Sequence, residues 1–434
     1  MRLIDSLAAT PAIADIFSDS SILQAMLDFE AALARAEART GVMPQSAADT
    51  IARLARAEAF DAAQCAQIAE QSLRAGTMSI PLVKALTDRV RSVDPESAKF
   101  VHWGATSQDV ADTAMVLLLR RASSILAADH TRILEALRRL SDQHASTVML
   151  GRTLLQPAPP ITLGLKVAGW FGGLRRGWIR LEAAFEETMI VELGGASGTL
   201  AALGERGLAV RAALATELHL KNADAPWHAH RDRLAAVICA CGIYTGSLAK
   251  MARDISLLMQ GEVGEAAEPG SDGRGGSSTM PHKRNPTGCS LTLAAANRVP
   301  GLVASFLFGM AQEHERGAGG WQAEWATIAR MIEDTGLALA SMTEVAEGLS
   351  VDASRMRANI DATGGIIFAE RAMMLLALKI GRDAAHKLLE EATRHSNLSG
   401  ALAEHLSPEE IRELNIPESY LGSAETFRKQ LLAP

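Results

Sequence analysis

The sequence predicts an all-α protein built around a bundle of five long helices. Of its 434 residues 48% are hydrophobic and only 4% aromatic, so its core consists mainly of aliphatic side chains, among which Ala and Leu are strong helix formers. Long stretches repeat apolar residues at i, i+3, i+4 and i+7, the spacing of one helix face. One of them, at 233–262, is apolar around most of its circumference, which indicates a helix buried on all sides.

Residues 1–105 are predicted to form an N-terminal helical domain of short helices. Ser20-Ser21 can cap a helix that ends at Gly41, because hydroxyls favour the N-cap position and glycine the position after the last turn. Two further helical stretches follow at 47–58 and 61–71.

Residues 106–350 are predicted to form the central long-helix bundle. The first run begins at Val110 and keeps the helical period far beyond the usual three or four turns. The other long runs lie at about 161–190, 233–262, 291–315 and 322–349. Five such helices can bury their apolar faces only against one another, which predicts a bundle. Residues 351–434, with helices at 368–380 and 382–396, are predicted to form a small C-terminal helical domain.

Composition excludes several classes of function. The net charge of −7 provides no basic surface for nucleic acid. No apolar run approaches the roughly 18–20 residues that span a bilayer, so no membrane partner is expected. The N-terminus has acids within its apolar run, unlike a signal peptide. Four scattered cysteines do not make a disulfide framework, and we expect a reducing cytoplasmic location.

Two polar breaks in the helical pattern are candidate binding motifs. The first reads His-Trp-Gly-Ala-Thr-Ser-Gln-Asp over 102–109, and it places Thr106 and Ser107 just ahead of a helix, where hydroxyls and free backbone N–H groups attract anions. A plain helix cap remains an alternative for it. The second reads Gly-Arg-Thr-Leu-Leu-Gln over 151–156 and also leads into a helix.

A third break, at 270–290, combines two kinds of chemistry. Its first half has four glycines in seven residues, and its second half crowds hydroxyls, cations and an amide between two prolines. A mobile segment that carries such groups is typical of an active-site lid. A Gly/Ser-rich surface linker is the alternative, and phosphate-binding loops are excluded because neither GxxxxGK[ST] nor GxGxxG occurs here.

The lid string GSSTMPHKRNP resembles the GSSxMPxKxNP signature of the fumarase/aspartase superfamily. VHWGATSQDVADTA and GRTLLQPAPPITLGLK resemble the first and second signature regions of its adenylosuccinate lyase branch. The resemblance implies a three-domain fold whose long central helices form a shared bundle in a homotetramer. Each active site would then combine the three motifs from three different subunits.

The resemblance also assigns roles to residues. Ser277 is implied as the catalytic acid/base, with Lys283 beside it as a catalytic residue that, together with Asn285, holds a substrate carboxylate. Thr106, Ser107 and Thr153 match positions that bind carboxylates. In this superfamily a bond β to a carboxylate is made or broken through a carbanion stabilised as an aci-carboxylate, and N–H groups, an ammonium and an amide aimed at that dianion provide electrostatic stabilisation.

The second motif departs from the lyases, which carry histidine where this chain has Leu154. Without that imidazole an amine or hydroxide leaving group lacks its proton donor, whereas addition of a substrate carboxylate across its own double bond needs none. HWGATSQD, GRTxLQ, GGSSTMPHKRNP and EHERGAGGWQAEW resemble the 3-carboxy-cis,cis-muconate cycloisomerase family. This implies conversion of a 3-substituted cis,cis-muconate to its muconolactone in aromatic catabolism of the protocatechuate/β-ketoadipate type, without cofactor or metal.

In that family a trianionic substrate needs several cations. The resemblance gives Lys283 and Arg316 as carboxylate ligands. Further candidate substrate-binding residues are His102, Arg152, Leu154, Arg274, Ser278 and His282. Members specific for the carboxy substrate commonly have Trp at the position of Leu154, so carboxylate and sulfonate both remain open as the 3-substituent.

Other interpretations remain in view. Adenylosuccinate lyase-like elimination releasing fumarate would be favoured by a histidine in the second motif, and a catalytically silent scaffold by loss of Ser277, Lys283 or Asn285. His228 and His230 form either half of a metal site or a polar helix start, and the latter is favoured because metals need three or four convergent ligands.

Overall fold

The computed structural model describes residues 3–270, 275–276, 279–280, 283–394 and 398–433. Seventeen α-helices lie in these ranges, and the all-α prediction is confirmed. Four short strands form two small antiparallel ladders that the sequence did not predict.

The N-terminal part has five helices, α1 (Pro11–Ile16), α2 (Asp19–Arg39), α3 (Gln45–Leu54), α4 (Ala62–Ala75) and α5 (Ser79–Val93). The side chain of Ser18 accepts a hydrogen bond from the Ser21 N–H and caps α2, so the predicted cap at Ser20-Ser21 was wrong. The helix ends at Arg39 with Thr40 as its C-cap, and Gly41 follows with a positive φ of 75°, as expected for glycine just past a helix end.

All five long helices are present, with ends within a few residues of those predicted. They are α6 (Ser107–Gln143), α7 (Leu163–Thr188), α9 (Asp232–Leu258), α10 (Thr287–Gly309) and α11 (Gly320–Gly348). A shorter helix that the sequence analysis missed, α8 (Gly207–Leu218), lies between α7 and α9.

The second motif lies in a β-hairpin, which the helical interpretation missed. Strand β1 (Val148–Thr153) pairs antiparallel with β2 (Gln156–Thr162), and Leu154 and Leu155 form the turn. Both leucines have positive φ, 49° and 64°, as a two-residue hairpin of the favoured twist requires. A second ladder joins β3 (Ala266–Ala267) to β4 (Ser350–Val351).

Six shorter helices follow: α12 (Ala353–Asp361), α13 (Ala369–Ile380), α14 (Arg382–Arg394), α15 (Leu398–Ala403), α16 (Pro408–Leu414) and α17 (Ala424–Leu432). Their buried apolar side chains include Ile360, Leu376 and Leu402, and they share one core with Val148 and Leu150 of β1. The hairpin is therefore anchored at its base by the C-terminal helices.

The chain divides into two compact units. The first comprises Met1–His130, Gly177–Gly246 and Ala294–Ala340, and the second comprises Thr131–Arg176, Ser247–Leu293 and Ser341–Pro434. Their boundaries fall inside the long helices rather than between them. The division into domains at 1–105, 106–350 and 351–434 stays a prediction.

Two helices are long and apolar enough to cross a membrane by length and composition, α9 and α10. The expectation that no run approaches that length was wrong for them. In α9 56% of the most apolar window is buried inside the protein, as in the core helix of a soluble protein, whereas in α10 only 22% is buried.

Candidate active site

The first motif lies at the start of α6 in the first unit. Thr106 immediately precedes the helix, and its backbone N–H donates to Oδ2 of Asp109 at 2.8 Å. Ser107 is the first helical residue, and its carbonyl accepts the Ser79 hydroxyl at 2.8 Å. The predicted helix start is therefore confirmed, and its two hydroxyl residues are half-buried.

His102 is held by a buried acid. Its Nδ1 lies 2.6 Å from Oε1 of Glu30, and its backbone has an unusual φ of 61°. Burial alone would lower the pKa of His102, but the neighbouring Glu30 carboxylate outweighs it and raises that pKa above its ordinary value. A raised pKa favours the protonated imidazole, which is suited to an anionic ligand.

Arg316 contacts the first motif directly. Its Nε donates to Oε1 of Gln108 at 3.0 Å, and its two terminal nitrogens reach Oγ1 of Thr106 at 3.5 Å and the Gly195 carbonyl at 3.4 Å. Thr106 and Arg316, both predicted to bind substrate, are 210 positions apart in the sequence and lie side by side in the structure. A guanidinium beside a hydroxyl is a suitable pair for one carboxylate.

Beneath the motif lies a buried cluster that the sequence analysis did not bring together. The imidazole of His228 lies 2.7 Å from Asp109 and 3.5 Å from Glu192, and ligand atoms of the three residues lie within 4.8 Å of one another. Asp109 also accepts three backbone hydrogen bonds, donors that a metal ion would have to displace. A hydrogen-bonded network fits these residues better than a metal site.

Glu192 is the third member of that cluster, and it is fully buried. Burial, then the charges of Asp109 and Asp112, raise the pKa of Glu192 well above its ordinary value. Its Oε2 accepts the Trp227 N–H at 2.6 Å, and its Oε1 has no hydrogen-bond partner among the described residues. His228 is buried among these acids, unlike a residue of a polar helix start on the surface. His230, two residues further on, is exposed.

A second buried group neighbours the first. Arg231, fully inaccessible, donates to both oxygens of Asp112 at 2.7 and 2.9 Å and to both oxygens of Glu324. Burial lowers the pKa of Arg231, but the two carboxylates outweigh it and the pKa is raised. Burial also raises the pKa of Glu324, to about 7, despite Arg231 beside it.

In the second unit, Arg152 on β1 is paired with a buried acid. Its two terminal nitrogens donate to the two oxygens of Glu265 at 3.0 and 2.6 Å, and Asn359 donates to the same carboxylate at 2.7 Å. Glu265 is fully buried. Arg152 therefore fixes the hairpin to the segment before the lid, and its guanidinium is already partly used by this pairing.

The hairpin tip is hydrocarbon. Leu154 is 97% exposed and Leu155 73% exposed, and Thr153 beside them is also exposed. Large apolar side chains that project fully from a chain commonly mark a contact with another molecule. No acid or base occupies the position where the lyases have histidine.

The structure describes only part of the lid. Ser277, Ser278, Arg274 and His282 lie outside the described residues. Lys283 is exposed, and Asn285 bonds through its backbone N–H to the Gly275 carbonyl at 2.9 Å and through its amide to the Gly276 carbonyl at 3.3 Å. These bonds close the glycine-rich segment at its base.

The base of the lid is also fixed by a buried acid that the sequence analysis missed. The oxygens of Glu268 accept the N–H groups of Gly288 and Cys289 at 2.9 and 2.8 Å in the first turn of α10. A carboxylate at this helix end is favoured by the free N–H groups and the helix dipole. Cys289 is fully buried.

The chain is similar to known proteins over nearly its whole length. A family model described as Lyase matches residues 6–301. A 3-carboxy-cis,cis-muconate cycloisomerase of Bradyrhizobium diazoefficiens is 48% identical over 425 residues, covering 95% of this chain and 94% of the relative. The crystal structure of the 3-carboxy-cis,cis-muconate lactonizing enzyme from Pseudomonas putida superposes with a TM-score of 0.93 at 44% identity, covering 100% of this chain and 98% of that one.

The chain belongs to the 3-carboxy-cis,cis-muconate cycloisomerase family of the fumarase/aspartase superfamily. The family identified from the sequence motifs is thereby confirmed, and so is the all-α fumarase/aspartase fold. A nitrosuccinate lyase of Streptomyces davaonensis is 41% identical over 436 residues, covering 96% of this chain and 91% of the relative.

Within this cycloisomerase family member, the described residues form two groups. The first unit holds Thr106, Ser107, His102 and Arg316 close together, and the second holds the hairpin and the base of the lid. The roles implied for these residues stay predictions. Glu265 could have been suspected from the sequence, because it is an acid set among apolar and small residues just ahead of the third motif.

Proposed function

We propose that the protein converts 3-carboxy-cis,cis-muconate to its muconolactone by adding a carboxylate of the substrate across the substrate's own double bond. The hydrocarbon tip of the hairpin carries this proposal. A lyase needs a proton donor there for its leaving group, and this chain presents Leu154 instead. The activity printed for the relatives favours the same reaction over adenylosuccinate lyase-like elimination.

The described groups suit a multiply charged substrate. The Arg316 guanidinium and the Thr106 hydroxyl lie 3.5 Å apart and are proposed to hold one carboxylate, and His102 is proposed to assist them. Lys283 and Asn285 are proposed to hold a second one at the lid. Ser277 is proposed to donate the single proton that is added to the carbon next to a carboxylate. Neither metal nor organic cofactor enters this step.

We also propose that the protein is a homotetramer with shared active sites. Helix α10 supports this, because it is one of the most apolar helices and yet exposes Phe308 by 92% and Leu307 by 44%. An apolar face of that kind is normally covered by a partner. Four free cysteines support the proposed cytoplasmic location.

The proposed reaction destroys a conjugated diene, so loss of ultraviolet absorbance follows it directly. We would assay 3-carboxy- and 3-sulfo-cis,cis-muconate in parallel, with Ser277→Ala as the control. Turnover of the carboxy substrate that disappears in the variant supports the proposal, and preference for the sulfo substrate corrects the substituent. Fumarate release from adenylosuccinate without turnover of either muconate would overturn it.

Shared sites have a test of their own. Thr106→Val subunits, which bind substrate weakly, and Ser277→Ala subunits, which lack the proton donor, are mixed, unfolded and refolded together, then assayed at a substrate concentration well below the raised KM. If one site draws these residues from different subunits, hybrid assemblies contain some intact sites and activity returns. Light scattering that shows a monomer would refute the tetramer.

A further inference from the structure

A single buried carboxylate joins the two segments that carry the first motif's binding groups. Asp109 is fully inaccessible, and its Oδ2 accepts the N–H groups of Thr106 at 2.8 Å and Gly195 at 3.0 Å. Its Oδ1 accepts the Gly194 N–H at 2.9 Å and lies 2.7 Å from Nε2 of His228. Four donors around one group is close to the full capacity of a carboxylate.

The two segments approach each other very closely at this point. Gly195 has a φ of 69°, and a Cβ atom there would lie 2.8 Å from the Gly104 carbonyl oxygen. Side chains larger than hydrogen are therefore excluded. Arg316 spans the same two segments from the other side, through Gln108, Thr106 and the Gly195 carbonyl.

The placement of Thr106 thus depends on two different contacts. Its backbone N–H is fixed by Asp109, while its hydroxyl lies next to the Arg316 guanidinium. If the contact with Asp109 is lost, the N–H groups of Thr106, Gly194 and Gly195 lose their acceptor in a place closed to water. Unpaired donors of this kind are costly, so the segments would move apart to find partners.

We infer that Asp109 is a positioning residue for substrate binding, which fixes Thr106 beside Arg316 so that the two residues hold one substrate carboxylate. The inference rests on the proposed function for its last clause only. Asp109 does not touch the substrate in this arrangement. It acts through the backbone of Thr106, and His228 holds the carboxylate from the opposite side.

Asp109→Asn is a sharp variant, because it keeps the shape but turns an NH₂ group towards backbone donors. Hydrogen exchange measured by mass spectrometry is expected to rise in peptides covering 101–109 and 190–198, relative to the wild type. Glu192→Gln is the matched control, since Glu192 is also fully buried and its side chain accepts the Trp227 N–H rather than a donor in 101–109, and it should leave exchange in 101–109 unchanged. Unchanged exchange in Asp109→Asn would overturn the inference whatever the enzyme's substrate.

A double-mutant cycle tests the route through Thr106. Asp109→Asn and Thr106→Val are each expected to raise KM for 3-carboxy-cis,cis-muconate roughly ten- to hundredfold, the value of one hydrogen bond to a charged group, with a smaller effect on kcat. The KM of the double variant should be no higher than that of the more impaired single variant, because both substitutions remove the same interaction. Additive losses would mean that Asp109 has only a general structural role.

The two experiments separate this inference from the proposed function. Wild-type enzyme without muconate turnover refutes the proposed function, and the exchange experiment then decides alone whether Asp109 holds the segments. Raised exchange together with a non-additive cycle supports both. Raised exchange with an additive cycle rejects the action through Thr106.

Discussion

Glu37 on α2 is an acid buried without a partner, and its removal should stabilise the protein. The residue is fully inaccessible, and neither carboxyl oxygen has a hydrogen-bond partner among the described residues. Burial, and secondly the charge of Glu30, raise the pKa of Glu37 from 4.5 to about 9. At neutral pH the folded protein therefore carries a neutral carboxylic acid there, while the unfolded chain carries a carboxylate.

The sign and size of the effect follow from proton linkage. Because the folded state binds this proton more tightly, the free energy of unfolding falls as pH rises from 4.5 towards 9. The slope is about 1.4 kcal/mol per pH unit, so about 3 kcal/mol is lost by pH 7. Glu37→Gln has the same shape without the proton, and we expect it to be more stable than the wild type by up to that amount at pH 7 and equal to it near pH 4.5.

Urea unfolding at pH 5, 7 and 8.5 measures this difference as a shift in midpoint. The exposed Glu58 provides the matched control, since Glu58→Gln makes the same substitution at an acid that is in contact with solvent. A midpoint advantage of Glu37→Gln that grows with pH, absent in the control, confirms the reasoning. Parallel pH dependence in the wild type and Glu37→Gln would refute it.

Three further predictions concern the site and its support. Leu154→Trp is expected to raise the ratio of kcat/KM for the 3-carboxy over the 3-sulfo substrate. If that ratio does not change, the residue at the hairpin tip does not select the 3-substituent. Arg231→Met leaves Glu324 and Asp112 buried without their cation, and it should lower the free energy of unfolding by about 3–5 kcal/mol. Thermal unfolding measures this loss, and a loss under 1 kcal/mol contradicts the prediction. Arg152→Lys cannot pair bidentately with Glu265, so hydrogen exchange across 148–162 should rise, and unchanged exchange means that the pairing does not hold the hairpin.

The long helices could be predicted because their apolar period repeats over many turns. The ends of α7 and α9 lay within a few residues of the prediction at most, and Gly41 marked its helix end through a conformation that only glycine adopts easily. These signals are local, so each is contained in a short stretch of sequence.

The hairpin could not be predicted, because its local signals are weak. Strand β2 contains three prolines within seven residues, and proline is unusual in strands. Its turn has two leucines in place of the Asn-Gly pair that marks such turns. The hairpin is instead held by distant contacts, such as the pair of Arg152 with Glu265, 113 residues apart.

The buried cluster was missed for a similar reason. Asp109 and His228 are 119 residues apart, and no spacing rule connects them. The first motif was recognised from its hydroxyls, but the carboxylate that holds those hydroxyls in place looked like one more polar residue at a helix start. Its partners become visible only when the chain is folded.

At the hairpin tip, the stability of the fold and the chemistry of the site make separate demands on the sequence. Folding alone would favour Asn-Gly at 154–155, and the exposed leucines add nothing to this chain's own core. The side chains there are consequently free to vary for the sake of chemistry, with little cost to the scaffold. A superfamily built on such a tip can acquire new reactions by single substitutions, and libraries at these two positions offer a direct route to altered substrate range.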